Sequence, residues 1–70
     1  MYQAGQRVSV NLNHLDLDAG IWVPGTIIGE VLGFENNLRK QYRVRLDTPL
    51  WNGNQHESDL DFSEQVLKVA

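Results

Sequence analysis

The 70-residue chain contains no cysteine, so neither a disulfide nor a thiolate metal site can brace it. It has little positive charge: six Lys and Arg stand against nine Asp and Glu, for a net charge of −3. That balance favours solubility and works against non-specific nucleic-acid binding, which relies on basic side chains neutralising phosphates. No apolar run approaches the roughly 20 residues of a membrane helix. The first residues, Met1-Tyr2-Gln3-Ala4-Gly5, lack the basic and apolar regions of a signal peptide. The expectation is a soluble, cytoplasmic chain that does not engage membranes. Its length suits one domain over residues 1–70. Such a chain buries only about 60% of the surface it exposes when unfolded. Its core must be well packed, or an oligomer must support it.

What is present has a period of two. Val8, Val10 and Leu12 alternate with Arg7, Ser9 and Asn11, as in a half-buried strand. Residues 13–20 read as a loop rich in Asn, Asp and Gly. The next run, Ile21-Trp22-Val23-Pro24-Gly25-Thr26-Ile27-Ile28-Gly29-Glu30, is β-branched and long. Pro24 suits the start or edge of a strand, and Gly25, Gly29 and Gly33 suit a bend, a bulge or a close backbone approach. A helix here is disfavoured by β-branching and by the glycines. Glu35-Asn36-Asn37 reads as a turn. In the following strand Leu38, Tyr42, Val44 and Leu46 face one way, and Arg39, Gln41, Arg43, Arg45 and Asp47 the other. Residues 48–55 read as a second loop. Ser58, Leu60 and Phe62 then alternate with Glu57, Asp59 and Asp61. Ser63-Glu64-Gln65 suits a short capped helical turn before a last strand at Val66–Val69. The expected inward set is Val8, Val10, Ile27 or Ile28, Val31 or Leu32, Tyr42, Val44, Leu46, Leu60, Phe62, Val66 and Leu67.

Five short strands suggest a small all-β barrel, closed or nearly closed, since closure removes aggregation-prone edges. Gly5-x-x-Val8, Trp22-x-Pro24-Gly25-Thr26-Ile27, Tyr42-x-Val44 and Ser63-x-x-Val66-Leu67 resemble the SH3-like barrels of Tudor and agenet modules. The chain also resembles, more weakly, the barrel of the plasmid-encoded type II dihydrofolate reductases. Both resemblances imply a small five-stranded SH3-like barrel with a short helical turn before the last strand. The first implies a binding module. Val23 and Leu46 occupy places where a methyl-cation cage would have aromatics, so a general peptide groove is the expectation. The second implies an oligomeric enzyme. Its Val-Gln-Ile-Tyr pore segment is replaced here by Asp59-Leu60-Asp61-Phe62, so that activity is not expected.

Four sets of residues are candidates for function. Leu15 and Leu17 in one loop, Leu50 and Trp51 in the other, and Trp22 beside the first could form an apolar contact patch for a protein or peptide, or for a homo-oligomer. Arg39, Arg43 and Arg45 could contact nucleic acid. The competing expectation pairs the arginine stripe with Glu57, Asp59 and Asp61 on the next strand, which fixes register. Asp16-x-Asp18-x-Gly20 lacks the remaining ligands of a calcium loop, and His14 and His56 lack zinc spacing. No metal or cofactor is therefore expected. Asp59 and Asp61 form a carboxylate pair, but on a face open to solvent, so the chain is not expected to be an enzyme.

Overall fold

The computed structural model of the chain describes residues 2–13, 20–31, 41–51 and 53–70. Among them, five strands form one antiparallel sheet: β1 (Arg7–Asn11), β2 (Trp22–Val31), β3 (Gln41–Trp51), β4 (His56–Ser63) and β5 (Leu67–Val69). Their order is β4-β3-β2-β1-β5, a meander whose last strand returns beside the first. A flat sheet of this size would be about 20 Å wide and thin. The Cα extents are instead 28 × 26 × 26 Å, so the sheet is curled around its core. The architecture is the expected small SH3-like barrel. The expected helical turn is also present, as a 3-10 turn at Glu64–Val66. The Ser63 hydroxyl caps it by accepting from the Gln65 amide at 3.4 Å.

Alternation places the core. Val8 and Val10 of β1, Tyr42, Val44 and Leu46 of β3, and Phe62 of β4 all point inward and are buried. Val66 and Leu67 close the set from the end of the turn. Leu60 is only half-buried but packs against this cluster. In β2 the choice falls on Ile27, which is buried, while Ile28 is exposed. The reason is a bulge: Ile27 faces Val44, and Gly29 faces Arg43, so Ile28 is the extra residue. Val31 is half-buried, and Leu32 lies outside the described residues, as does Gly33.

Pro24 does not start the second strand, as the sequence suggests. It is the third residue of β2, opposite Ser9. Leu12 donates to the Ile21 carbonyl and Ile27 to the Gln6 carbonyl, so the odd residues of β2 bond to β1. The Pro24 nitrogen therefore turns to the other side, where the ladder with β3 has already ended at Gly25 and Leu46. No ladder bond is lost there. At Gly25 the backbone makes a close approach. A Cβ on it would lie 2.7 Å from Val44 Cγ1 and 3.0 Å from the Arg45 carbonyl, so glycine lets β2 and β3 close on each other.

The second expected loop is also corrected. Residues 48–51 belong to β3, which continues to Trp51, and only the stretch 52–55 connects it to β4. Arg45 pairs with Asp59 and Leu50 with Glu57. Four residues of β3 (46–49) thus face Ser58 alone. This large bulge divides β3 into a straight first half and a splayed second half, and local sequence carries no sign of it beyond Pro49. At the opposite end, Gln3 to Gln6 form a tight turn closed by a 3.0 Å bond, with Gly5 at φ 89°. This turn lays Tyr2 edge-on against the buried Tyr42 ring, with centroids 5.3 Å apart.

Candidate functional site

The outer face of the barrel is a ladder of ion pairs. The Arg43 Nε donates to Asp61 at 2.9 Å, and the Arg45 Nε and a terminal nitrogen donate to Asp59 at 2.8 and 2.9 Å. These residues stand directly opposite each other in the β3–β4 register, as the alternating charges lead one to expect. Glu57 departs from that expectation, since Leu50 faces it rather than an arginine. Arg39 lies outside the described residues. A third fork, from Arg7 to Asp47 at 2.6 and 2.7 Å, has no precedent in the sequence pattern. The fork reaches across β2, where Arg7 also donates to the Thr26 hydroxyl at 2.8 Å.

The Arg7–Asp47 and Arg45–Asp59 forks favour the charged form of both partners. Hydrogen bonds from Arg7 and Arg45 hold the Asp47 and Asp59 carboxyls below the usual carboxylate range. Bonds to Asp47, Asp61 and Asp59 raise Arg7, Arg43 and Arg45, respectively, above the usual guanidinium value. Among the described residues, every arginine is thus neutralised by an aspartate at bidentate distance. Such forks organise the surface and contribute little net stability in water.

The apolar candidates lie at one end of the sheet. β2 and β3 run antiparallel and pair from Gly25 and Leu46 onward. Trp22 precedes that point on β2 and Leu50 and Trp51 follow it on β3, so the three fall toward the same end. Trp51 is 61% exposed, Ile21 66% and Trp22 37%. Leu50 is half-buried against the core rather than displayed. Leu15 and Leu17 lie outside the described residues, as do His14, Asp16 and Asp18.

The two indoles make separate contacts. The Lys68 ammonium sits 4.1 Å from the centre of the Trp22 ring, a cation–π contact made possible because Lys68 and Trp22 lie on strands that flank β1. Trp51 faces His56 across the β3–β4 hairpin, with ring centroids 5.1 Å apart. One buried polar group was not foreseen from the sequence. Asn11 has no exposed surface, and its side-chain carbonyl accepts from the Asn13 amide at 2.8 Å. A Cβ at Gly20 would fall on its side-chain amide, so Asn11 and Gly20 fasten the two ends of the first long connection together. The Asn-Leu-Asn stretch gives a weak hint of such a turn-forming side chain.

Among the described residues, no three His, Asp or Glu side chains cluster as a metal site requires, and no helix is long and apolar enough to cross a membrane. No protein-family model, curated protein or solved structure matches the chain.

Proposed function

We propose that the chain is a non-enzymatic interaction module of the Tudor and agenet kind, binding a peptide or protein through the loop end of the barrel. The observation that carries this reading is the exposed apolar set of Ile21, Trp22 and Trp51 at one end of the sheet. Exposed indoles combine large contact area with few rotamers, which suits them to anchoring a partner. Leu50 packs against the core at the same end, and Leu15 and Leu17 belong to the adjoining connection in sequence.

The nucleic-acid alternative draws less support. Arg43 and Arg45 are each engaged by an aspartate, so phosphate would have to displace a bidentate partner. Catalysis draws less still. A carboxylate pair acting as acid and base needs one member held protonated, and Asp59 is pushed the other way by Arg45.

Capture of partners from the native host, with the intact chain and with Trp22→Ser and Trp51→Ser as bait, tests the reading. The expected result is a partner retained by the intact chain and lost by both variants. Equal capture by all three proteins overturns it. So does turnover of dihydrofolate with NADPH, or salt-sensitive capture of nucleic acid that survives both substitutions.

A further inference from the structure

The sheet ends on two unequal edges. Among the described residues, β5 pairs only with β1 and β4 only with β3. β5 has three residues, whereas β4 has eight and presents a long row of backbone donors and acceptors. A row of that length is a template for another strand.

The side chains of β4 limit what that strand can be. Glu57, Asp59 and Asp61 alternate on one face, and β4 carries no Lys or Arg. Consider a second copy of β4 paired antiparallel so that inner and outer faces stay continuous. Odd residues then meet odd residues, and carboxylate meets carboxylate, which is destabilising. Self-association along this edge is therefore disfavoured by charge. Arg45 and Arg43 approach Asp59 and Asp61 from the β3 side and fix the two carboxylates in position. Each ionised carboxylate has further lone pairs to offer a donor from the open side. Glu57 faces Leu50 and has no arginine across the strand.

We propose that the outer edge of β4 is a docking edge for an extended basic segment of a partner protein. The segment adds as a sixth strand, with Lys or Arg at alternate positions facing Glu57, Asp59 and Asp61. Backbone hydrogen bonds supply the affinity, and the alternating carboxylates select the sequence. This edge meets the loop end only at its start, where His56 faces Trp51, and the inference stands if the loop-end reading fails.

The test is a titration of the intact, isotope-labelled chain with a synthetic seven-residue peptide alternating Lys with Val. Amide shifts and exchange protection should concentrate between Glu57 and Asp61 and saturate below about 1 mM peptide. Glu57→Gln should weaken binding by about threefold. N-methylation of alternate peptide bonds should abolish it, and Val69→Ser, an exposed position on β5 at the opposite edge, should leave it unchanged. No β4 protection at that concentration overturns the proposal. Equal binding of the N-methylated peptide, or of one with Glu in place of Lys, also overturns it. Protection that rises with protein concentration in the absence of peptide does so too, because a second copy then holds the edge.

Discussion

The two halves of β3 differ more than any other neighbouring stretches of the barrel. From Gln41 to Arg45 the strand is paired on both sides. Its even residues, Tyr42, Val44 and Leu46, are buried, and Arg43 and Arg45 are locked to aspartates outside. Beyond Arg45 the strand loops out four residues against Ser58, leaves β2 after Leu46, and rejoins β4 only at Leu50. Asp47 is thrown across to Arg7, and Trp51 is left exposed. The chemistry of the two halves is similar, with apolar and charged residues in both. The difference lies in the number of partner strands. Two partners impose alternation and bury every second side chain, while one partner leaves apolar surface for other uses.

The sharpest way to break this contrast is to empty the first half. Tyr42→Ala removes a fully buried ring at a cost of about 3–5 kcal/mol. That equals the whole stability of about 3–5 kcal/mol expected of so small a core. Circular dichroism should show an unfolded chain. A folded Tyr42→Ala protein would mean that the first half is not the centre of the core.

A smaller effect tests how closely β2 clasps β3. Gly25→Ala drives a Cβ into Val44 and the Arg45 carbonyl and should cost about 1–3 kcal/mol. Gly29→Ala, at the β2 bulge with nothing within 4 Å, should be neutral or stabilising by up to about 1 kcal/mol. Urea denaturation of the two variants reads the opposite signs, and equal effects would remove the close approach as an explanation.

Acid titration compares the ion pairs of the two halves. Asp59, held by Arg45 of the first half, and Asp47 of the second both have folded pKa values below the ordinary carboxylate value of 3.8. Their contribution is therefore present above that value and is lost as pH falls through the lower folded values. Stability measured from neutral pH down past about pH 4 should decline in this window. Arg7→Gln should flatten the part due to Asp47, and Arg45→Gln the part due to Asp59. An unchanged profile in both variants would show that the forks do not persist in solution. About 1 M salt should weaken both contributions.

The smallest effect on stability belongs to the second half. Trp51→Ala should change the unfolding free energy by less than about 0.5 kcal/mol, because the ring is mostly exposed. Partner binding should nevertheless fall at least about tenfold. A large loss of stability with unchanged binding would reverse the roles assigned to the two halves.

Much of the fold is legible from residue order. Alternation in Val8 to Val10, Tyr42 to Leu46 and Leu60 to Phe62 sets their faces, and the opposed charges of Arg43, Arg45, Asp59 and Asp61 give the β3–β4 register. Ser63 marks the turn before β5. The candidate interaction surface is less legible. Trp22 and Trp51 are recognisable as unusual residues beside connections, but Leu50 looks equally exposed in sequence and is held against the core. The fork between Arg7 and Asp47 joins residues 40 positions apart, and nothing near either one announces it.

Side-chain alternation is a local property with a period of two, so the sequence by itself determined the β class, most of the core and the sign of each surface stripe. Register is a non-local property, set by how strands meet across the sheet. Only the tertiary structure decided that Ile27 rather than Ile28 turns inward, that Gly25 admits the β3 backbone, and that β3 continues to Trp51 past a four-residue bulge. The cause at Ile27 and along β3 is curvature: a five-stranded sheet curls around so small a core by inserting residues where its strands bend, while Gly25 answers to the closeness of β2 and β3.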